Sequence, residues 1–462
     1  MSEDAIAALK ASLGAERARD DLATRSLYRS DDTPEECLPA AVLFPHSHEE
    51  VQAIVRIAGR HRLPLTPRGA GSGNVGGALP VQGGAVVSFE CMQKVIEYSP
   101  AERLIRVQSG CITGEIDRIA SRDGLAYLPD PGSSPYCRIG GNLAMNAGGP
   151  HAVKYGVTRD HVLALRAVTG RGETLDTGVR TSKGVVGYDL TRLLVGSEGT
   201  LALITEATLR LLPRPAGRAL LRAAFAHSRD ACAAVNRVMQ QDLLPSAVEF
   251  MDARALQAVR SMGAAASLPA ATQALLLVEV DGELESLPRQ LTHMAAALDG
   301  AGLLQLEQGQ DPDAIAALWT ARKALSPATK AMAPRKINED VVVPVPRLCE
   351  LLAEIEAIAT EERLQIVSFG HAGNGNLHVN FLVNPDDHGE MQRAQRGLDR
   401  LFNKVLALQG TLSGEHGIGS VKRAFVGREL DPVSLHLQRH IKELFDPFGI
   451  LNPGKLFPDL PA

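Results

Sequence analysis

The feature that most constrains the fold is a glycine-dense loop with no helix after it. Leu63-Pro-Leu-Thr-Pro67 reads as a short strand, and it runs into Arg68-Gly69-Ala70-Gly71-Ser72-Gly73-Asn74-Val75-Gly76-Gly77. Gly71, Gly73 and Gly76 spell GxGxxG, the spacing of a dinucleotide-binding turn that should open a helix. Here Pro80 and the Gly83-Gly84 pair follow, and then the apolar run Ala85–Phe89. Proline and paired glycines break a helix, and the run after them reads as a strand. A Rossmann βαβ unit is therefore excluded at this point. What remains is a loop whose backbone N–H groups can cradle a phosphate.

Upstream, Ser47-His-Glu-Glu50 is a capping-box candidate ahead of an amphipathic helix over Val51–His61, with apolar residues at 51, 54, 55 and 58. Downstream, strands are predicted at Val95–Tyr98 and Leu104–Gln108, with a helix over Thr113–Asp123. Asp130-Pro131-Gly132-Ser133-Ser134 reads as a turn. A second glycine region follows: Ile139-Gly140-Gly141-Asn142-Leu-Ala-Met-Asn146-Ala-Gly148-Gly149. Asn142–Ala147 is predicted to form one or two helical turns, with N-terminal amides facing an anion. Tyr155-Gly156, a strand at Val162–Thr169, Val195-Gly196-Ser-Glu198-Gly199-Thr200 and a strand over 201–212 complete this region.

The length, 462 residues, exceeds one ordinary core and implies two or three domains. Net charge is −5 with no Lys/Arg block, which argues against nucleic acid as a partner. The six cysteines, at 37, 91, 111, 137, 232 and 349, form no CxxC pair, so an iron–sulfur cluster is not expected. Met1–Asp21 lacks the apolar core of a signal peptide, and no stretch reaches the ~20 apolar residues of a membrane span. The expected location is cytoplasmic, and a peripheral association with a membrane stays compatible with the sequence.

After Pro213-Arg-Pro215 the chain becomes rich in Ala and Leu. Strand-like runs (Ala219–Phe225, Ala247–Met251, Ala274–Val280) alternate with helical ones (Asp230–Gln240, Glu285–Ala297, Pro312–Ala324). This mixture predicts an α+β domain, an antiparallel sheet covered by helices.

Near the end, Ser368-Phe-Gly-His371-Ala-Gly-Asn-Gly-Asn376-Leu-His378-Val-Asn380 and Ser413-Gly-Glu415-His416-Gly-Ile-Gly419 bring together three imidazoles and a carboxylate. His371 and His378 are seven apart, which places them on opposite faces of a regular strand. A glycine loop leading into a strand at Leu377–Val383 can swing them to one side. With Glu415 they make two histidines and a carboxylate, the ligand set of a catalytic metal. Together the three imidazoles and the carboxylate offer a metal's ligands and a spare base. The competing explanation is a set of hydrogen-bonded structural histidines.

Four ordered stretches carry a family resemblance: Pro67-Arg-Gly-Ala-Gly-Ser-Gly73, Asp130-Pro-Gly-Ser-Ser134, Gly140-Gly-Asn-Leu-Ala-Met-Asn-Ala-Gly-Gly149 and Val195-Gly-Ser-Glu-Gly-Thr200. They resemble the FAD-binding domain of the vanillyl-alcohol-oxidase-type flavoproteins. Among these the chain is most similar to the FAD-linked D-2-hydroxy-acid dehydrogenases: D-lactate dehydrogenase, the glycolate oxidase FAD subunit and D-2-hydroxyglutarate dehydrogenase. The GHxGxGNLHxN and SGEHG motifs match the family's metal and active-site motifs.

The resemblance implies a two-part FAD-binding domain at 1–215, a ferredoxin-like antiparallel-sheet substrate (cap) domain at 216–412, and a segment at 413–462 that returns to the FAD domain and active site. It assigns the cofactor to Pro67, Arg68, Gly69, Ala70, Gly71, Ser72 and Gly73 in the first loop, and to Pro131, Gly132 and Ser133 in the turn. In the second glycine region it assigns Gly140, Gly141, Asn142, Asn146, Gly148 and Gly149, followed by Tyr155 and Gly156. Glu198, Gly199 and Ile204, with Asn452 in the tail, complete the set. Some relatives bond FAD covalently through a histidine in the first loop. Ser72 stands there and cannot form that link, so non-covalent FAD is expected.

The resemblance further implies a divalent metal on His371, His378 and Glu415, zinc with manganese as the alternative. His416 is then the catalytic base and also meets the substrate. Arg322, Ser326 and Lys336 would hold the substrate carboxylate, a task that suits the planar arginine fork, and Asn380 would hydrogen-bond the substrate. The expected reaction is oxidation of a D-2-hydroxy acid to a 2-keto acid, with D-lactate leading and glycolate, D-malate and D-2-hydroxyglutarate as alternatives. Electrons would leave to an external acceptor: a quinone, a cytochrome or an electron-transfer protein. A homodimer is also suggested by the family. Competing readings are an aryl-alcohol or sugar oxidase of the same superfamily, and a non-enzymatic or partner-dependent FAD subunit.

Overall fold

The strand that feeds the first glycine loop forms as Leu65–Arg68, and an extended connection with no helix carries the chain to the strand Ala85–Ser88. In this computed structural model, which describes residues 2–263 and 265–459, those two strands pair in parallel. Ala41–Leu43 pairs in parallel on the other side of Ala85–Ser88, and Ala18–Arg19 closes the four-stranded sheet antiparallel. Gly84, at φ +76°, turns the chain into its strand against the Pro64 carbonyl, where a side chain would overlap that oxygen.

The helix His48–His61 packs Val51, Ile54, Val55 and Ala58 onto Leu43, Leu65 and Val87, as its apolar spacing predicts. Ser47 caps it, accepting the Glu50 amide at 3.3 Å. The reciprocal half of the capping box is not made. The Glu50 carboxylate accepts from the His46 amide at 2.8 Å and pairs with Arg17.

A second sheet is antiparallel, in the order Val95–Ser99, Leu104–Gln108, Ala202–Arg210, Val162–Thr169, Thr174–Gly178. Its residues Ile105, Val107, Leu165, Ala207 and Leu209 share a core with Ile116 and with Ile139 and Leu143 of the helix Ile139–Met145. The C-terminal tail joins the first sheet. The Leu65 amide donates to Ile450 O at 2.7 Å, and the Asn452 amide donates to Leu65 O at 2.8 Å. Buried Asp446 shapes that tail by accepting the Ile450 and Leu451 amides and pairing with Lys442.

These elements belong to one of two units, built from the segments Met1–Gly149, Gly156–Arg214 and Glu415–Ala462; the other takes Pro150–Tyr155 and Pro215–Gly414. The second unit is organised on a seven-stranded, wholly antiparallel sheet. Its order is Leu303–Gly309, Gly217–Phe225, Ala274–Gly282, Ala247–Met251, Gln365–His371, Asn376–Val383, Arg335–Val342. Helices Ala253–Ser261, Pro312–Lys323 and Leu325–Lys330 cover Leu220, Leu275, Leu277, Val367 and Phe369. The α+β expectation for this region therefore holds. No described helix is long and apolar enough to cross a membrane.

The hairpin Gln365–His371 to Asn376–Val383 matters most for function. Its turn, Ala372–Asn374, ends on Gly375 at φ +71°, where a Cβ would land on the Val343 carbonyl oxygen. Gly375→Ala should therefore lower stability by roughly 2–4 kcal/mol, the strain of a left-handed alanine added to the overlap. Gly427→Ala is the control. That glycine lies in the helix Val426–Glu429, and a Cβ there would meet nothing within 4 Å, so the change should be neutral or slightly stabilising. Denaturant midpoints of the two variants check this; equal midpoints would refute it.

Candidate active site

In an antiparallel hairpin, side chains directly across from one another share a face. The register pairs Phe369 with His378. His371 is two residues beyond Phe369 and so shares the face of His378. Their rings lie 5.2 Å apart between centroids at an interplanar angle of 87°, and Phe369 stands edge-on to His378 at 5.6 Å. The odd spacing of seven is thus undone by the reversal of chain direction at the turn.

The neighbouring strands place a buried carboxylate beside each imidazole. Glu249 lies opposite His371 in register, and its Oε1 is 2.5 Å from His371 Nδ1. Its other oxygen accepts from Arg322 Nε at 2.6 Å. Burial pushes the Glu249 carboxyl up, but the attraction and hydrogen bonds of His371 and Arg322 outweigh it and hold it below the usual glutamate value. Glu249 thus takes the Nδ1 side of the His371 ring and does not engage Nε2.

Asp340 lies opposite His378, with Oδ1 at 3.7 Å from Nδ1. That carboxylate also accepts from Asn376 Nδ2 at 2.6 Å and from the Gly414 amide at 2.9 Å, with Ser413 Oγ at 3.4 Å. Asp340 therefore anchors the chain just ahead of Glu415. Gly414 is required there, because a Cβ would meet Asn376 Nδ2 at 2.6 Å.

Glu415 and His416 open the last segment of the first unit and are half-buried. The Glu415 carboxylate stands over the second glycine region, where a Cβ on Gly148 would come within 2.7 Å of its Oε2. Past His416 the loop is fixed by Glu198, which accepts the Ile418 and Gly419 amides at 2.6 and 2.8 Å. Burial raises the Glu198 carboxyl, and the two amides oppose the shift. A side chain at Gly417 would run into Met145 and Glu198.

Of the residues expected at the substrate, Arg322 ends the helix Pro312–Lys323, bound to Glu249 and stacked over the Phe369 ring at 5.0 Å. Lys336 is half-buried on the strand Arg335–Val342, on the face of Asp340 and His378 by the alternation of the strand. Ser326 is exposed on the helix Leu325–Lys330. Asn380 is fully buried; its Nδ2 donates to Val367 O at 3.1 Å and to His378 O at 3.2 Å, and its Oδ1 accepts from Asn338 at 2.8 Å. Its amide is thus taken up within the sheet.

The glycine loops expected to hold FAD belong to the first unit. Gly73, Gly132 and Gly141 face open space, with nothing within 4 Å of a Cβ, whereas Gly140 is pressed against Ser109 and Gly199 against Pro67. Ser109 Oγ and Asn452 Oδ1 are buried without a hydrogen-bond partner among the described residues. Open backbone beside unsatisfied polar atoms fits a long polar cofactor such as FAD. Other side chains in the set serve the protein. Arg68 is folded against its own loop, donating to Ser30 O at 2.7 Å. Asn142 donates to Thr113 at 2.7 Å. Asn146, in the left-handed region at φ 53°, accepts the Arg159 amide at 2.9 Å. Ile204 is buried in its strand. Asn452 Nδ2 ties the tail to Gly77 O and Glu198 O.

One expectation needs correction. The helix of the second glycine region starts at Ile139, earlier than expected, and its first two amides are taken up within the protein. Ile139 N donates to Cys111 O at 2.9 Å, and Gly140 N donates to Ser109 O at 2.7 Å. Tyr155 and Gly156, adjacent in sequence, fall in different units. The Tyr155 hydroxyl donates to Asp281 at 2.8 Å, and on the same strand Glu279 accepts from His151 and from Trp319, each at 2.9 Å.

Sequence reasoning does not reach Glu249 and Asp340, although a signal for them exists. Glu249 is a carboxylate inside an otherwise apolar strand, Ala-Val-Glu249-Phe-Met, and Asp340 closes a polar run, Asn338-Glu-Asp340, directly before Val-Val-Val. Such a charge is costly to bury without partners.

Comparison with known proteins agrees with this architecture. Residues 214–456 match the family described as FAD linked oxidases, C-terminal domain, and residues 39–178 match an FAD binding domain. The glycolate oxidase subunit GlcD of Bacillus subtilis is 36% identical, over 96% of this chain and 94% of its own. A D-lactate dehydrogenase of Anaerostipes hadrus is 35% identical, over 90% of this chain and 89% of its own. A crystal structure of p-cresol methylhydroxylase with substrate bound superposes with a TM-score of 0.82 at 16% identity, covering 99% of this chain and 97% of that one, a likeness of fold alone. The fold is of the vanillyl-alcohol-oxidase type, and the chain belongs to the FAD-linked oxidases, among the FAD-dependent oxidoreductases that include D-lactate dehydrogenases and glycolate oxidase subunits.

Proposed function

We propose that this protein oxidises a D-2-hydroxy acid, D-lactate or a close analogue, to the 2-keto acid, using non-covalent FAD and a divalent metal. The observation that carries the reading is the pair of imidazoles on one sheet face, each beside a buried carboxylate, in a chain of the FAD-linked oxidase family. His371, His378 and Glu415 would hold the metal, zinc or manganese. When bound, the metal supplies a positive charge that lowers the pKa of the substrate hydroxyl, and FAD supplies the acceptor for the hydride that leaves C2.

The chain's own residues supply binding, orientation and proton transfer. Arg322 keeps its two Nη groups to grip the substrate carboxylate, since only its Nε is committed to Glu249. Lys336 adds a second cation on the same sheet. His416 accepts the hydroxyl proton on an imidazole nitrogen. Glu198 acts on His416 indirectly, by fixing the backbone two and three residues further on. The electrons then pass to an external acceptor.

A second reading has one observation in its favour: the Bacillus relative is named a subunit. A partner-dependent FAD subunit would hold the cofactor yet not oxidise substrate alone. Anaerobic mixing of the purified protein with D-lactate, glycolate, D-malate and D-2-hydroxyglutarate separates the two. At least one of these should bleach the flavin absorbance. His416→Ala should retain FAD and be reduced about 10²–10⁴-fold more slowly, the usual contribution of a positioned base. Bleaching only by aryl alcohols, or by nothing, would overturn the 2-hydroxy-acid reading; unchanged reduction in the variant would clear His416 of its role.

The cofactor linkage has its own test. Serine at position 72 predicts that acid precipitation releases yellow FAD into the supernatant. Colour that stays with the pellet would contradict non-covalent binding.

A further inference from the structure

A 2-hydroxy acid carries its hydroxyl and its carboxylate on adjacent carbons. A site that takes both must hold the group facing the hydroxyl and the group facing the carboxylate at a set separation. Glu249 meets this requirement. It sits on Ala247–Met251, an inner strand laddered on both sides, so its backbone is held by two neighbours. One carboxylate oxygen takes His371 Nδ1 at 2.5 Å and the other takes Arg322 Nε at 2.6 Å. The side chain of Glu249 is fully buried, and Arg322 is braced further by the Phe369 ring.

Each bond selects which atom its partner presents. Holding His371 by Nδ1 leaves Nε2 to face a metal, the arrangement in which an outer carboxylate orients a ligating histidine. Holding Arg322 by Nε leaves both Nη groups, the pair that binds a carboxylate bidentately. Moving either partner would break a buried, charge-assisted bond.

We infer that Glu249 is a positioning residue that couples the metal ligand His371 to the carboxylate-binding Arg322, and so selects acids whose hydroxyl lies on the carbon next to the carboxylate. This rests on the metal reading above. Its consequence is a linkage: damage at Glu249 weakens metal binding with no substrate present, and relaxes the preference for 2-hydroxy over 3-hydroxy acids. A carboxylate that merely filled the core would affect melting temperature alone.

The test compares the FAD-loaded wild type with Glu249→Gln, Glu249→Asp and His371→Ala by chelator-competition titration with Zn²⁺ and Mn²⁺. FAD content and melting temperature serve as folding controls. Glu249→Gln should bind metal about 10–100-fold more weakly, raise KM for D-lactate more than it lowers kcat, and narrow the ratio of kcat/KM for 2-hydroxybutyrate over 3-hydroxybutyrate. Glu249→Asp keeps the charge and withdraws it by one methylene; it should show the same direction, and it carries the test if the glutamine variant fails to retain FAD. Wild-type metal affinity in both Glu249 variants, with loss in His371→Ala, overturns the inference and leaves the metal reading standing. A wild type that binds no metal, or a His371→Ala variant that binds it unchanged, overturns both.

Discussion

The pairing of Phe369 with His378 across one hairpin is the constraint on which the site depends. It puts two histidines seven residues apart on one face, and the adjoining strands extend that face with Glu249 on one side and Asp340 on the other. A slip of one residue would turn every one of these side chains over. Gly375 closes the hairpin where a larger residue would strike the Val343 carbonyl, so register and chemistry rest on the same turn. Buried Glu249 then orients His371 by a hydrogen bond, at a desolvation cost offset by Arg322, while Asp340 stands 3.7 Å from His378 and is held by Asn376 and the Gly414 amide.

Glycine serves the other unit by a different route. Around Gly73, Gly132 and Gly141 the backbone is left bare, with space in front of it, whereas Gly140 and Gly199 let one segment press on another. Gly148 joins the two uses, since a side chain there would collide with the carboxylate of Glu415. A loop expected to hold FAD and a proposed metal ligand thus lie against each other inside one unit.

Much of the fold is legible in the sequence because it is written locally. Pro80 and Gly83-Gly84 after GxGxxG rule out a Rossmann unit, and the strands at Leu104–Gln108, Val162–Thr169 and Ala247–Met251 fall where their apolar runs end. What escapes is decided by residues distant in sequence. Whether His371 faces His378 depends on strand register, which spacing alone does not contain. The helix of the second glycine region is expected from Asn142, yet it begins at Ile139, where Cys111 and Ser109, some thirty residues earlier, accept the first two amides. The same holds for Glu50, which answers Arg17 and His46 in place of Ser47. Glu249 and Asp340 acquire their histidine partners only when four strands of the sheet are assembled.

Everything proposed for the site turns on the paired histidines ligating a metal. X-ray absorption at the metal edge of the zinc- or manganese-loaded protein tests this most directly. The first shell should consist of nitrogen and oxygen donors with the multiple-scattering signature of two imidazoles, falling to one in His378→Ala. A spectrum without imidazole scattering, or one that His378→Ala leaves unchanged, would contradict it.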